Sequence, residues 1–268
     1  MQIYNMNITL LTSNKPRHNY LINLLSKYCK KLFVIQECST IFPGYRNGIY
    51  PKNKIINEYF NKVSKAEKKI FFDKPIVGKN ISHLTIENGD LNLLKLKKIK
   101  SFLKSDLYII FGSSYIKGDL INFLIKKKAI NIHMGIAPYY RGTDCNFWSL
   151  YDNNPELAGA TLHLISKGID SGRIIANATS EYFRDPFIYT MSTTKSAFFC
   201  LVSLIKKKKL KKIKSVKQNK KLEIRYSRLN EFNSTVIKKF FKKKTKIVKK
   251  KKYNLINSYV LKKRKFFI

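Results

Sequence analysis

The sequence predicts an α/β protein built on a Rossmann-like, open and mostly parallel sheet. A short apolar run, NITLLT at 7–12, precedes PRHNYLINLLSKYC at 16–29, whose apolar residues recur at helical spacing, and a second apolar run follows, LFVIQ at 32–36. A strand, a helix and a strand within about 30 residues indicate a parallel pair joined by a crossover helix. No GxGxxG follows the first strand, so the likeness to a Rossmann fold concerns architecture and does not extend to a dinucleotide site.

The alternation of strands and helices continues to about residue 205. The LYIIF run at 107–111 is apolar throughout, as expected of a strand inside a parallel sheet. Ligands of open α/β sheets bind beyond the carboxyl ends of the strands, so segments 112–116 and 131–135 are expected to face one crevice. Residues 37–80 suggest no function. The other predicted strands lie at 83–87, 129–133, 159–165 and 173–178, and the other predicted helices at 53–70, 91–104, 117–127 and 186–205.

A change in composition near residue 205 divides the chain into two predicted parts. Residues 1–205 form the α/β domain, and residues 206–268 form a basic, mostly helical C-terminal extension. The extension contains the lysine runs KKKKLKKIK at 206–214 and KKFFKKKTKIVKKKKY at 238–253. No linker rich in Gly or Ser marks the boundary, and the composition leaves open whether the extension has a function.

The chain is strongly basic, with a formal net charge of +38, and such a charge can attract nucleic acid. Lysine dominates: the 54 Lys and Arg residues include 8 Arg, which leaves 46 Lys. Proteins that read base sequence rely on Arg, whose planar guanidinium binds guanine or phosphate through two hydrogen bonds. Lysines scattered over a chain also rich in Ile, Asn, Phe and Tyr instead indicate compositional bias on solvated surfaces.

The four cysteines and four histidines give no sign of a metal site, because no CxxC, HxxxH or HExxH pattern occurs. The cysteine spacing and the lack of a signal-type apolar run at the N-terminus favour a reducing, cytoplasmic location. No window approaches the roughly 18 uninterrupted apolar residues that suggest a membrane span. We therefore expect a cytoplasmic protein with no metal and no membrane span.

Three polar residues at the predicted crevice could carry chemistry: Asn131, His133 and Asp170. An Asn amide can donate to a developing oxyanion, a His can exchange protons near neutral pH, and an Asp can orient that His or hold a water. Asn131 and His133 lie two positions apart, so their side chains share one face of a strand. A structural interpretation stays open at this point, in which His133 packs a strand end and Asp170 supplies a turn.

The segments NIHMGIAPYYRG at 131–142 and GATLHLISKGIDSGRII at 159–175 closely resemble the signature of the folate-dependent formyltransferases. That family includes methionyl-tRNA, glycinamide ribonucleotide and sugar N-formyltransferases. Its pattern is an Asn-x-His strand end, a Pro and aromatic-Arg-Gly turn, a Gly-x-Thr-x-His strand and a Gly-hydrophobic-Asp loop. The ordered match runs from residue 107 to about 178, and a weaker likeness in strand and helix order extends back to residue 7.

The resemblance implies that residues 1–205 are the catalytic domain of an enzyme that uses N10-formyltetrahydrofolate as its formyl donor. It implies that Asn131 stabilises the oxyanion, that His133 assists proton transfer, and that Asp170 holds His133 and a catalytic water. It also implies two folate-contacting loops. Their candidate residues are Ser113, Ser114, Tyr115 and Ile116 in the first loop, and Lys167 and Ile169 in the second.

The segments RGTDCNFW at 141–148 and LYDNNPELAGATLHLISKGIDSG at 150–172 look closest to formyltransferases that modify sugars. This likeness implies a small-molecule amine acceptor, a nucleotide-linked amino sugar. Candidate acceptor contacts are Tyr140, Arg141 and Asp144, although Arg141 could instead hold its loop. Trp148 and His163 are expected to have packing roles, and Cys145 is not expected to be a nucleophile. Two alternatives remain: formylation of methionyl-tRNA, which is less favoured, and a basic binding protein that retains the fold without catalysis. The sequence gives no oligomeric state.

Overall fold

The structure is a computed structural model, and it describes residues 5–46, 50–207, 210, 214–243 and 253–263. Strands and helices alternate through most of this part of the chain. In chain order they are β1 (Asn7–Ser13), α1 (Pro16–Ser26), β2 (Lys31–Cys38), α2 (Lys54–Phe71), β3 (Ile81–Glu87), β4 (Leu107–Phe111), α3 (Gly118–Lys126), β5 (Ile130–His133), β6 (Tyr140–Gly142), α4 (Cys145–Tyr151), β7 (Ala160–Leu164), β8 (Ile174–Ser180), α5 (Pro186–Lys206), β9 (Arg225–Ser227), α6 (Ser234–Lys242) and β10 (Tyr259–Leu261).

The described strands form one large sheet in the order β10-β8-β7-β5-β4-β1-β2-β3, and β6 pairs separately with β9. Strands β3, β2, β1, β4 and β5 run parallel to one another. Strand β7 is antiparallel to both β5 and β8, and β10 is parallel to β8. The predicted α/β class with an open, mostly parallel sheet is confirmed.

Strand β4 explains why the sheet is stable with helices on both faces. Its five residues are all buried, and successive side chains enter different cores because strand side chains alternate in direction. Leu107, Ile109 and Phe111 join the core that includes residues of α1 and α5, whereas Tyr108 and Ile110 join the core that includes residues of α3. Burial on both faces accounts for the uninterrupted LYIIF run.

Helix α5 is long and apolar enough to cross a membrane when judged by length and composition alone. The fold gives another reason for its apolar character, because 72% of its most apolar window is buried inside the protein. Ala197, Phe198 and Leu201 are fully buried in the main core beneath the sheet. The helix therefore packs as a central core helix in this structure.

The helix predicted at 91–104 is wrong. The structure has two short 3-10 turns there instead, Asp90–Asn92 and Lys100–Leu103. Side chains from the sheet hold the second of these turns: the Thr9 hydroxyl donates to the Phe102 carbonyl at 2.6 Å, and the Tyr108 hydroxyl donates to the Leu103 carbonyl at 2.5 Å. Tertiary contacts of this kind outweigh the local helical spacing of the apolar residues.

Parts of the described chain beyond Lys206 pack against the rest of the protein. Strand β9 pairs with β6, and β10 extends the edge of the large sheet beside β8. Helix α6 buries Ile237 and Phe240 in an aromatic core that also contains Phe147 and Trp148, in agreement with the packing role expected of Trp148. The predicted boundary near residue 205 stays a prediction, and much of both lysine runs lies outside the described residues.

Candidate active site

A cleft of about 700 Å³ opens at the carboxyl ends of the central strands. It is bordered by the segments that follow β1, β4 and β5, by the loop between β7 and β8, and by the start of α4. This is the edge of an open α/β sheet at which ligands are expected. The predicted site residues that line it are Asn131, His133, Asp170, Ser113, Ser114, Tyr115, Ile116, Ile169 and Asp144.

The structure brings Asn131, His133 and Asp170 into direct contact. Strand β5 carries Asn131 and His133 on the same face, and Asp170 approaches from the loop between β7 and β8 with a left-handed backbone, φ 45°. His133 Nδ1 lies 3.1 Å from Asp170 Oδ2. The Asn131 amide donates to Asp170 Oδ1 at 3.3 Å. One carboxylate therefore holds both side chains that the motif had identified.

The His133 ring lies between two acceptors. Its Nδ1 faces Asp170, and its Nε2 lies 3.1 Å from the Tyr140 carbonyl oxygen. Only the doubly protonated ring can donate to both at once, whereas a neutral ring must give up one of these hydrogen bonds. Burial lowers the pKa of His133, and the adjacent Asp170 carboxylate opposes that shift. These opposing influences suit a ring that gains and loses a proton.

Asp170 is poised to remain ionised. Burial raises its pKa, but His133, His163 and the Gly142 N–H together outweigh burial and lower the pKa to about 2. Gly142 N donates to Asp170 Oδ2 at 3.4 Å, and the side chain is 12% exposed. A carboxylate surrounded by donors on several sides is a fixed negative charge at the centre of the site.

His163 belongs to the same cluster, although the sequence suggested only a packing role for it. It is fully buried, and its Nε2 lies 3.0 Å from Asn131 Nδ2 and 3.5 Å from Asp170 Oδ1. Its Nδ1 lies 2.8 Å from the Leu164 carbonyl, so Nδ1 carries a proton. The antiparallel register pairs Asn131 with His163 across β5 and β7. The Thr-x-His spacing of β7 was the available signal, but the cross-strand partner could not be seen in the sequence.

The first predicted folate loop, residues 113–116, lines the cleft, and a buried carboxylate fixes it in place. Glu37, at the end of β2, is 1% exposed. It accepts hydrogen bonds from Ser114 N at 2.6 Å, Ser114 Oγ at 2.7 Å and Gly89 N at 2.9 Å. The sequence suggested no function for this part of the chain, because a single Glu at a strand end does not indicate that two distant loops will supply three hydrogen-bond donors to it.

The second predicted folate loop contributes Ile169 to the cleft, where its side chain is 44% exposed. Lys167 does not line the cleft. Its carbonyl instead accepts a hydrogen bond from the Tyr115 hydroxyl at 2.8 Å, and this bond links the two loops. The two segments that the family resemblance associated with folate are thus in contact with each other.

The predicted acceptor residues separate into two groups. Asp144 lines the cleft at the start of α4. Tyr140 is fully buried, and its hydroxyl is hydrogen-bonded to Asp152 and Asn154 in the interior. Arg141 donates to Glu223 at 2.9 Å and to the Ile169 carbonyl at 2.7 Å. The structure does not bring Tyr140 or Arg141 to the cleft surface, and the contacts of Arg141 are those of a residue that holds its loop.

The cleft offers neither a reactive thiol nor a metal centre among the residues that the structure describes. Burial raises the pKa of the Cys145 thiol well above its usual value, as the sequence led us to expect of a residue with no nucleophilic role. No group of three His, Cys, Asp or Glu side chains within these residues is arranged to hold a metal ion.

Comparison with known proteins finds that this chain is similar to formyl transferases. The family model described as formyl transferase matches residues 59–195, about half of the chain. Methionyl-tRNA formyltransferase of Trichormus variabilis is 32% identical over 85 residues, which are 32% of this chain and 25% of that protein. The bifunctional polymyxin resistance protein of Wigglesworthia glossinidia brevipalpis is 32% identical over 113 residues, which are 41% of this chain and 17% of that protein. The matched segments span a quarter or less of these relatives' length.

Solved structures share the fold at low sequence identity. A 4-N formyltransferase from Francisella tularensis aligns with a TM-score of 0.50 and 18% identity, covering 84% of this chain and 77% of that one. A sugar N-formyltransferase from a Shewanella species aligns with a TM-score of 0.50 and 16% identity, covering 85% and 78%. HypX from Aquifex aeolicus, solved with tetrahydrofolic acid, aligns with a TM-score of 0.50 and 17% identity, covering 88% and 34%. The family match over half of the chain, on a fold common to these structures, shows that the chain belongs to the formyl transferase family.

Proposed function

We propose that this protein transfers the formyl group of N10-formyltetrahydrofolate to a primary amine. The main support for this proposal is that Asn131, His133 and Asp170 are in contact with one another inside the cleft. The two predicted folate loops, which the Tyr115 hydroxyl links, border the same cleft. The apolar side chains of Ile110, Ile116 and Ile165 line part of the same cleft, which suits a flat pteridine ring beside polar loop backbone.

The chemistry needs a donor for the formyl oxygen and a route for protons. Asn131 Nδ2 carries two hydrogens, which face His163 and Asp170, and donation of one of them to the formyl oxygen would exchange one of these bonds. Such donation stabilises the negative charge that develops on that oxygen as the amine nitrogen attacks. His133 would then move a proton from the attacking nitrogen toward the departing one, while the negative Asp170 stabilises the protonated ring.

The acceptor that we propose is the amino group of a nucleotide-linked amino sugar. Segments 141–148 and 150–172 resemble those of sugar-modifying members, and the Shewanella sugar N-formyltransferase shares the fold over most of both chains. We place the reaction in the cytoplasm, because all four cysteines are unpaired and three of them are buried.

Methionyl-tRNA is the second candidate acceptor. The Trichormus relative supports it through 32% identity over its matched segment, and the net charge of +38 would favour binding to tRNA. The two candidates differ in salt dependence, because a tRNA acceptor requires many phosphate contacts whereas a nucleotide-sugar offers few.

An acceptor panel tests the proposal. The purified protein is incubated with N10-formyltetrahydrofolate and with dTDP-linked amino sugars, UDP-linked amino sugars or methionyl-tRNA, and formylated products are detected by mass spectrometry. We expect turnover with a nucleotide-linked amino sugar and a weak dependence of its rate on salt. Turnover restricted to methionyl-tRNA, with steep salt dependence, would support the second candidate. No turnover in any arm, with folate and acceptors bound normally, would favour the non-catalytic alternative.

A further inference from the structure

Asp144 is a carboxylate that lines the cleft and has no contact with Asn131, His133 or Asp170 among the hydrogen bonds and ion pairs of the described residues. It precedes α4 in a left-handed backbone conformation, φ 53°, which sets its side chain beside the cleft rather than as a cap of the helix. The Tyr50 hydroxyl lies 2.8 Å from one carboxylate oxygen and 2.9 Å from the other. A hydroxyl has a single proton, whereas a carboxylate can accept about four hydrogen bonds, so Asp144 keeps acceptor capacity for a further donor.

The surroundings of Asp144 combine burial with positive charge. Burial raises its pKa to about 6, while the hydrogen bond from Tyr50 and the charges of Lys15 and Arg17 oppose that shift. Tyr59 of α2 and Cys145 of α4 also face it, and both are neutral at neutral pH, since burial raises their pKa values further above that range. Arg17 is already paired with Glu67 at 2.8 Å. At neutral pH a carboxyl group with a pKa of about 6 is mainly ionised.

From these contacts we infer that Asp144 binds the acceptor amine as an ammonium cation and thereby selects acceptors that carry a positively charged nitrogen. The inference rests on the proposed formyl transfer and adds to it the charge state in which the acceptor enters. Asp144 is two residues from Gly142, whose N–H donates to the catalytic Asp170, so one short segment contacts both the catalytic cluster and the proposed ammonium site. Hydrogen bonds to a buried ionised group are stronger than those between neutral partners.

Two protons leave the acceptor nitrogen during the proposed reaction. The bound ammonium gives one proton to the Asp144 carboxylate, and the neutral nitrogen forms its bond to the formyl carbon. The bond between that carbon and the folate nitrogen breaks, and the second proton of the attacking nitrogen passes through His133 to the folate nitrogen. Asp144 then releases its proton to solvent, so each turnover yields a formamide, tetrahydrofolate and one proton.

The test compares two ligands that differ in the charge of one group: a dTDP-linked amino sugar, and its analogue with a hydroxyl in place of the amine. Binding of each is measured by calorimetry with wild type and with Asp144→Asn, which keeps the size of the side chain and its contact with Tyr50. We expect Asp144→Asn to weaken binding of the amine by about 10- to 100-fold, as for a lost hydrogen bond to a charged group, and to leave the hydroxyl analogue unchanged. Asp119→Asn, at an exposed position in the first turn of α3, is the matched control and should change neither.

Equal weakening of both ligands by Asp144→Asn, or no effect on either, would overturn the inference. Because the readout is binding, it is separate from the proposed reaction. A wild-type protein that binds the amine through Asp144 but forms no formamide would refute the proposed function and leave the ammonium site standing. Formyl transfer that proceeds with an unchanged amine affinity in Asp144→Asn would do the reverse.

Discussion

Replacement of Asp170 by Asn removes the charge at the centre of the site while it keeps the size of the side chain. Asp170 Oδ2 faces His133 Nδ1 at 3.1 Å and Gly142 N at 3.4 Å, and Oδ1 faces Asn131 Nδ2 at 3.3 Å. An Asn amide has one oxygen, so whichever way it turns, its NH₂ group must face one of these donors. The variant therefore loses a hydrogen bond on at least one side and no longer stabilises a protonated His133.

The expected loss follows from these contacts. One buried hydrogen bond to a charged group contributes about 1.5–3 kcal/mol, and loss of a group that supports acid–base or oxyanion stabilisation typically lowers kcat by about 100-fold, equivalent to roughly 2.7 kcal/mol. We expect Asp170→Asn to lower kcat by at least about 100-fold, with a small change in the KM of either substrate. The assay is steady-state formyl transfer at saturating acceptor. A kcat close to that of wild type would refute the role assigned to Asp170.

Asp170→Asn should also change how the free energy of unfolding depends on pH in acid. The pKa of Asp170 in the folded protein, about 2, lies below its value in the unfolded chain, so the ionised carboxylate stabilises the native state above about pH 4. That contribution, on the order of 2 kcal/mol, is lost as the pH falls from about 4 to about 2. Urea denaturation over this range should show a shallower pH dependence for Asp170→Asn than for wild type. Identical slopes would contradict the depressed pKa.

Three further predictions concern catalysis and packing. His133→Ala should lower turnover by at least about 100-fold without a change in the far-ultraviolet circular dichroism spectrum, and normal turnover would exclude proton transfer by this ring. Gly172→Ala should destabilise the protein by about 1–3 kcal/mol or more, because its Cβ would lie 1.6 Å from the Leu164 carbonyl oxygen; an unchanged Tm would show that the loop between β7 and β8 can move away. Phe240→Ala should cost about 3–5 kcal/mol in denaturant unfolding because Phe240 is 7% exposed in the aromatic core, and the half-buried neighbour Phe241→Ala should cost less. An equal loss of unfolding free energy in the two variants would contradict the burial of the Phe240 face of α6 in the aromatic core.

Local apolar pattern was enough to predict most of the large sheet. Strands such as β1 and β4 are contiguous runs buried on both faces, and a run of that kind is visible in the sequence itself. The three-residue strands β9 and β10 were not predicted, because a short strand in a lysine-rich segment has no pattern of its own and forms only where a sheet edge is available. The helix predicted at 91–104 does not form for a related reason, since the hydroxyls of Thr9 and Tyr108 hold the carbonyls of Phe102 and Leu103 and the local apolar spacing does not reveal these contacts.

Some residues of the candidate site could be predicted from the sequence and others could not. Asn131 and His133 are two residues apart on one strand, so their shared face follows from strand geometry, and the motif supplied Asp170. His163 and Glu37 were missed because their roles depend on partners 32 and 77 residues away, His163 with Asn131 and Glu37 with Ser114. Tyr140 and Arg141 were placed at the acceptor side by their position in the motif, but the turn that contains them directs both side chains into the protein.

Transfer of an isotopically labelled formyl group is the most direct test of the proposed reaction. Wild-type protein and Asn131→Ala are each mixed with N10-formyltetrahydrofolate labelled at the formyl carbon and with the nucleotide-linked amino sugar selected by the acceptor panel, and the sugar product is analysed by mass spectrometry. We predict that wild type yields the formamide with the label on its carbonyl carbon and that Asn131→Ala yields at least about 100-fold less of it per unit time. A wild-type product without the label, or equal rates of labelling by the two proteins, would contradict formyl transfer at this site.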